Sequence, residues 1–287
     1  ADAGFDGLVL KIALRGLDSS GETVTAAAGE DWDSLVTTCI ERELAGVECL
    51  SGIPGLVGAT PIQNVGAYGQ EVKDTIVRVR ALDRENLQEI VFDAAECHFA
   101  YRQSRFKAAD RDRFIITAVT YRLDPSGQPQ IRYPELRRQI GAQLESLAPG
   151  RPMLSAVRET VLQLRRGKSM LIDPKDANAR SVGSFFLNPV ITAEAFAALQ
   201  QRHPEMPSFP APDGIKVPAG WLVENAGFTR GYRLGGASIS DHHALALVNR
   251  GGSMAEILAL ARSIQDAVEQ TFHIHLEREP VLIGETK

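Results

Sequence analysis

Residues 51–69 read S-G-I-P-G-L-V-G-A-T-P-I-Q-N-V-G-A-Y-G, and the fold turns on what such a stretch can be. Gly52, Gly55 and Gly58 recur every third residue, and Gly66 and Gly69 repeat the theme after Pro61-Ile62-Gln63-Asn64. Neither a 3.6-residue nor a two-residue apolar period runs through it, so it is neither a helix nor a long strand. Glycine lets a backbone approach a flat or phosphorylated ligand with its N–H groups turned inward, and Gln63 and Asn64 add donors and acceptors suited to the edge of a heterocycle. The spacing is not that of a Walker loop, which needs Gly-Lys-Ser/Thr, nor that of a G-x-G-x-x-G dinucleotide turn. On the residues alone, a tortuous connection between elements is as good a reading as a ligand loop.

The flanks supply ordinary elements. Residues 7–13 (GLVLKIA) and 22–28 (ETVTAAA) predict short strands around the turn Asp18-Ser19-Ser20-Gly21. Asp31 then caps a helix with the apolar stripe Trp32, Leu35, Val36, Cys39, Ile40 and Leu44, and Gly46 stands where a C-terminal cap belongs. Beyond the glycine loop, residues 75–82 and 113–123 predict strands, the second ending at Asp124-Pro125, where a domain boundary is expected. The second half opens irregularly around Ile131 to Gln139. It continues with a helix near 155–166 closed by Gly167, and another over 192–203 capped by Thr192 and stopped by Pro204. Ser253 to Glu256 is a capping box opening an amphipathic helix through Ile257, Leu258, Leu260, Ala261, Ile264 and Val268, and Phe272 to Glu279 alternates like a strand. Mixed strands and helices without a βαβ rhythm predict an α+β fold.

Composition narrows the function classes. The 287 residues suffice for two domains. Apolar content of 44% and charged content of 23% describe a folding globular chain. With 31 Lys and Arg against 36 Asp and Glu the net charge is -5, and the pI is near 5.8, so no global field would draw nucleic acid or an anionic membrane. Three cysteines, Cys39, Cys49 and Cys97, without C-x-x-C spacing, predict neither disulfides nor a cysteine zinc site and fit a reducing cytoplasm. No apolar run reaches a membrane span and no leader opens the chain. The chain begins at Ala1, with Leu8-Val9-Leu10 already reading as strand, and residues upstream are expected.

The run G-I-P-G-L-V-G-A-T-P-I-Q-N-V-G-A-Y-G closely resembles the flavin-binding signature of the bacterial UDP-N-acetylenolpyruvoylglucosamine reductases. Three further blocks match in order: Tyr101-Arg102-Gln103-Ser104 with Phe106-Lys107, Gly183-Ser184-Phe185-Phe186 with Asn188-Pro189, and Leu276-Glu277 with Glu279-Pro280. The resemblance implies an FAD-binding domain of the vanillyl-alcohol oxidase (PCMH) type over residues 1–125, followed by an α+β substrate domain over 126–287 whose last strand returns to the active site. It implies reduction of an enolpyruvyl double bond by NADPH through FAD, on a UDP-sugar, by a monomer in the cytoplasm. FAD contacts fall to Gly52, Ile53, Gly55, Gly58, Ala59, Gln63, Asn64 and Gly66.

The same resemblance gives Ser184 the role of proton donor, a weak acid set against a strongly basic enolate-like intermediate. Arg102 becomes the fork that clamps the substrate carboxylate, and Glu279, favoured over Glu277, the acid beside the developing charge. Tyr133, Lys175 and Asn188 match substrate-binding positions. Departures are Arg180-Ser181-Val182 before Gly183, Leu187 where lysine is common, and the lack of an upstream glycine-serine-asparagine turn for the FAD diphosphate, which is expected to weaken FAD binding. Alternatives are a related flavoprotein oxidase or dehydrogenase, or a non-catalytic remnant without FAD. His273, His275, Glu277 and Glu279 would share one face of an unbroken strand and could ligate a metal, though Pro280 interrupts it and an ordinary polar face reads better, so no metal is expected. His242-His243 reads as the start of a strand, and Arg165-Arg166-Gly167-Lys168 as a basic helix C-terminus.

Overall fold

The computed structural model of the chain describes residues 4–284. They divide into two compact units: Val9–Arg166, and the residues from Gly167 on together with those up to Leu8.

In the first unit β1 (Leu17–Ser20) and β2 (Thr23–Ala27) form a hairpin turning at Gly21, whose φ of +56° suits glycine. α1 (Trp32–Glu41) follows, and the short pair β3 (Gly66–Ala67) and β4 (Gln70–Glu71) closes the glycine loop. β5 (Ile76–Asp83), β6 (Glu89–Asp93) and β7 (Phe114–Arg122) complete an antiparallel sheet in the order β1-β2-β7-β5-β6. Two register shifts along β5 against β7 reset its in-out alternation. One face packs Val24, Ala26, Val79, Val119 and Tyr121 against Trp32, Leu35, Val36 and Ile40 of α1. Trp32 is wholly enclosed; its indole N–H donates to Leu50 O at 3.0 Å.

Three expectations fail here. The strand over 7–13 does not form: Leu8, Val9 and Leu10 are 82%, 77% and 66% exposed, Ile12 packs against the core without pairing, and the bonds to the sheet come just after the segment, Ala27 N–H to Gly16 O and Gly29 N–H to Leu14 O. Apolar residues alone do not make a strand where no ladder partner lies alongside. Secondly, α1 stops at Glu41, and Gly46 is not its cap. Glu43 takes the left-handed position (φ 62°), and the bonds Glu43 N–H to Ile40 O and Leu44 N–H to Cys39 O close a Schellman motif without glycine. Thirdly, the boundary at 125 falls inside this unit. α2 (Pro134–Leu144), where only an irregular segment was expected, and α3 (Arg151–Gly167) share a core in which Leu136, Ile140, Val157 and Val161 pack with Cys49 and half-buried Tyr68 from either side of the glycine loop.

The second unit carries β8 (Val190–Ile191), α4 (Ala193–Arg202), β9 (Phe209–Ala211), β10 (Gly214–Lys216), α5 (Ala219–Asn225), β11 (Arg233–Leu234), β12 (Ala237–Ile239), β13 (Leu247–Asn249) and α6 (Met254–Phe272). Two three-stranded sheets, β8-β10-β9 and β11-β12-β13, accompany a core in which Leu260, Ala261, Ile264 and Val268 of α6 are fully buried. The Thr192 cap and the Ser253–Glu256 capping box form as expected. Past Phe272 the burial alternates, Ile274 and Leu276 in and His273, His275 and Glu277 out, but ladder pairing is confined to the bridge at Arg278. Among the described residues no helix is long and apolar enough to cross a membrane.

Because Ile140 sits in one core with Cys49, Ile140→Ala is expected to cost about 2–5 kcal/mol and to lower hydrogen-exchange protection of the Cys49 and Leu50 amides along with that of α2. Loss confined to α2 would make the α2–α3 pair an appendage rather than part of this core.

Candidate active site

The glycine loop is lashed from behind. Trp32 N–H donates to Gly55 O (3.0 Å), Val57 N–H to Glu30 O (2.9 Å) and Gly58 N–H to Ala28 O (2.9 Å). At Gly58 an added Cβ would lie 2.6 Å from the Ala28 Cβ, so this position tolerates no side chain. Gly52 holds φ +71° and donates its N–H to Asp33 Oδ1 at 2.6 Å, while Arg158 forks onto both Asp33 oxygens at 2.6 and 2.7 Å. Burial pushes the Asp33 carboxyl up, but the bonds from Arg158 and Gly52 and the charges of Arg158 and Arg165 outweigh it and hold the group below its ordinary value. Beneath the loop Glu48 is fully enclosed, accepting from Gly46 N–H (2.6 Å) and Gln70 Nε2 (2.7 Å). Thr60 Oγ1 meets the buried Tyr121 hydroxyl at 2.8 Å.

The outward side is mostly apolar: Pro54, Gly55, Ala59 and Ile62 are exposed, and Ile53, Leu56 and Gln63 half-buried. A Cβ at Gly55 would project into open space, so its φ of +126° is what requires glycine. An apolar strip of this kind, with the Gln63 amide at its far end, fits the face and edge of a flat heterocycle such as a flavin. Asn64 differs from its neighbours. It is buried, donating to Glu71 Oε2 and Ala100 O (both 2.9 Å) and accepting Lys73 N–H (3.1 Å), which makes it a brace within the loop.

Arg102 reaches the same loop. It stands at φ +53°, a conformation costing a non-glycine residue about 1–3 kcal/mol, and its Nη2 donates to Gly66 O. A Cβ on Gly66 would meet Glu71 Cγ at 2.7 Å, Gln70 O at 2.9 Å and Arg102 Nη1 at 3.0 Å, so only glycine fits between the β4 strand and the guanidinium. Lys107 Nζ, from the same sequence block, donates to Arg102 O at 3.1 Å. Tyr133, N-cap of α2, sets its ring edge-on to Tyr68 at 5.5 Å and stays 37% exposed.

In the second unit Ser184–Phe186 forms the middle of a short ribbon. Ser184 is bridged to Ala246 on one side, with Phe185 N–H donating to Leu245 O (2.8 Å). On the other side Phe186 is bridged to Arg278; Leu187 N–H donates to Glu277 O and Glu279 N–H to Phe185 O, each at 2.9 Å. Antiparallel pairing thus brings half-buried Glu279 to the residue adjoining Ser184. Gly183, at φ +82°, turns the chain into this ribbon. Asn188 is turned to the fold, its Oδ1 accepting Ala219 N–H at the start of α5 (2.9 Å). Lys175 lies exposed in a turn that uses its backbone N–H, bonded to Asp173 Oδ1.

One cluster escaped sequence reading. Ser169 at φ +55° places its hydroxyl 3.2 Å from His242 Nδ1 and also bonds Asp176. His243 Nδ1 accepts Leu245 N–H at 3.0 Å, next to the Ser184 ribbon. Burial first, then the charges of Lys168 and Arg230, push His243 down to about 4. Nothing in the local pattern signals a left-handed serine facing a histidine 73 positions on. His273, His275 and Glu277 remain exposed, and among the described residues no three His, Cys, Asp or Glu side chains gather as metal ligands.

Comparison with known proteins bears on these two arrangements. A family model described as UDP-N-acetylenolpyruvoylglucosamine reductase, C-terminal domain, matches residues 173–283, and an FAD binding domain model matches residues 1–86. The reductase of that name from Streptomyces coelicolor is 47% identical over 294 residues, 99% of this chain and 76% of that protein. The chain belongs to the UDP-N-acetylenolpyruvoylglucosamine reductase family. Similar relatives of the same name come from Thermobifida fusca (46% identical, 100% of this chain and 83% of the relative) and Mycobacterium tuberculosis (47%, 96% and 77%). A solved reductase of Thermus caldophilus shares the fold, with a TM-score of 0.57 at 24% identity over 89% of this chain and 70% of that one. As a member of this reductase family the chain is an FAD-binding oxidoreductase of peptidoglycan precursor synthesis, α+β in fold.

A histidine held near 4 in the fold and near 6.5 when unfolded binds its proton preferentially in the unfolded chain. Its contribution to stability is therefore complete above about 6.5 and is lost as pH falls toward 4. His243→Gln is expected to flatten the acid limb of the stability curve between those values, measured by denaturant unfolding at a series of pH values; an unchanged slope would place the titration elsewhere.

Proposed function

We propose that this chain reduces the enolpyruvyl group of UDP-N-acetylenolpyruvoylglucosamine to the lactyl ether of UDP-N-acetylmuramate in the cytoplasm, as a monomer, with Arg102, Ser184 and Glu279 as its catalytic residues. The observation that carries the residue assignment is the ribbon that sets Glu279 beside the residue following Ser184. The exposed strip of Ile53, Gly55, Ala59 and Gln63 suits the isoalloxazine of FAD, with Gly52, Gly58, Asn64 and Gly66 shaping it. When bound, FAD takes hydride from NADPH and supplies it to the enolpyruvyl methylene carbon.

The chain's own residues handle the other half of the chemistry. Hydride addition leaves negative charge on the carbon bearing the carboxylate and, through it, on the carboxylate itself. The planar fork of Arg102 would be complementary to that carboxylate. Its left-handed backbone and its bond to Gly66 O preorganise it on the glycine loop, so little rotamer freedom is lost in binding. Ser184 gives its proton to the charged carbon, while Glu279 either helps that donation or, in its protonated form, polarises the carboxylate. A neutral hydroxyl suffices as the acid because the enolate-like carbon that takes the proton is strongly basic. Tyr133 and Lys175 serve the substrate diphosphate, the tyrosine through its exposed hydroxyl edge and the lysine as a point charge. Asn188 keeps its place by capping α5 and acts on substrate from there.

Ser184→Ala is expected to bind FAD and to be bleached by NADPH as fast as the parent, while recovery of the flavin band on adding the enolpyruvyl substrate slows by about 10²–10⁴. Rapid mixing reads both halves, and recovery at the parental rate would remove Ser184 as donor. Arg102→Lys keeps the charge but not the fork, so substrate turnover should fall by at least tenfold, about 1.4 kcal/mol, with bleaching by NADPH much less affected.

A further inference from the structure

We propose that Asp33 and Arg158 are a positioning pair that sets the glycine loop for FAD from behind, with the Gly52 amide as the point of transmission. The proposal rests on reading residues 52–69 as the flavin loop, and extends that reading to helix α3, which lies between the segments matched by the two family models.

Three independent bonds converge on the beginning of the loop from the first turn of α1. Trp32 holds Leu50 O through its indole and Gly55 O through its backbone, both at 3.0 Å, and between them Asp33 takes the Gly52 N–H at 2.6 Å. Gly52 is the left-handed residue at which the chain enters the loop, so the direction of that N–H fixes the direction of everything after it. Asp33 would be free to rotate were it not held. The two-pronged grip of Arg158, with the arginine side chain 20% and the aspartate side chain 33% exposed, permits one orientation of the carboxylate plane.

The far end of the loop meets the same helix. Arg165 follows Arg158 by seven residues, two turns of α3 and therefore the same face. Its charge acts on Asp33 and on Tyr68, which precedes Gly69 at the loop's end. Tyr68 in turn packs in the core formed by α2 and α3. One helical face thus addresses both ends of an eighteen-residue loop, and α3 acts as its backing plate.

The experiment uses the whole chain, freed of FAD and titrated back with FAD by flavin fluorescence, alongside thermal melting of the FAD-free forms. Asp33→Asn, which preserves size, and Arg158→Gln are each expected to weaken FAD binding by about tenfold, or 1.4 kcal/mol, at temperatures well below their melting points. The exchanged double variant D33R/R158D separates positioning from stability: it rebuilds an ion pair but leaves the Gly52 N–H without its carboxylate. It is expected to recover melting temperature toward the parent without recovering FAD affinity. Affinities within about twofold of the parent in both single variants would overturn the proposal, as would recovery of affinity together with stability in the exchanged variant. A parent chain that takes up no FAD would overturn the flavin reading itself and this proposal with it.

Discussion

Backbone hydrogen bonds from residues 55–58 to residues 28–32 are the constraint on which the first unit's chemistry depends. They use up the inward-facing amides of a stretch that has no regular structure of its own, which is the only way such a stretch can lie against a core without leaving buried polar groups unpaired. They also set how close the loop may come to β2, since Gly58 meets Ala28 with no room for a side chain. Tightness on the inside fixes where the outer strip around Gly55 and Ala59 lies. Gly66 also takes the Arg102 guanidinium on its carbonyl oxygen, so the arginine fork is tied to the loop's own backbone.

The second unit solves a different problem by different means. Its ribbon draws residues 184–186, 245–246 and 277–279 together, segments separated by about sixty and then about thirty positions. No local turn can do this. Each flank must be delivered by the surrounding core, the 245–246 side by β12 and β13 and the 277–279 side by the end of α6, whose left-handed His273 stops the helix and starts the return. Gln265 Nε2, bonded to Leu276 O at 2.7 Å, ties that return back onto α6. A residue on such a ribbon is held by contacts long in sequence, so its position depends on the packing of the whole unit.

Local signals were legible and long-range ones were not. Asp31, Thr192 and the Ser253–Glu256 box announced helices because a cap is a three-residue event. The glycine loop and the three blocks that follow it in order pointed to the flavin enzyme family at once. What failed needed knowledge of a partner. Residues 7–13 have a strand's composition and no strand alongside; α2 has a weak apolar face that makes sense only once Cys49 and Tyr68 are seen to complete its core. The boundary at 125 was drawn where a strand met proline, yet the chain goes on to build the back of the same unit. Asn64 shows the limit of reading a side chain by type: the amide that could have faced a ligand is spent inside, on Glu71, Ala100 and Lys73.

Two carboxylates under one loop show how partner chemistry, more than depth, decides what burial does. Asp33 and Glu48 both lose water, and both accept from glycine amides, at Gly52 and Gly46. Asp33 is also gripped by a guanidinium, a full charge, and it is held below the ordinary carboxylate range. Glu48 has only dipoles around it, the backbone N–H groups and the Gln70 amide; burial outweighs them and its pKa is raised. The signs of their linkage to folding are therefore opposite. Asp33 favours the fold above the unfolded carboxylate value of about 3.9 and gives that up only in strong acid; Glu48 favours it below about 4.3 and gives that up as pH rises. The residue placed to hold the loop's leading amide is the one whose grip persists at neutral pH. The residue beneath it, where a charge would be a burden, instead joins Gly46 and Gln70 through an acid that the fold resists ionising.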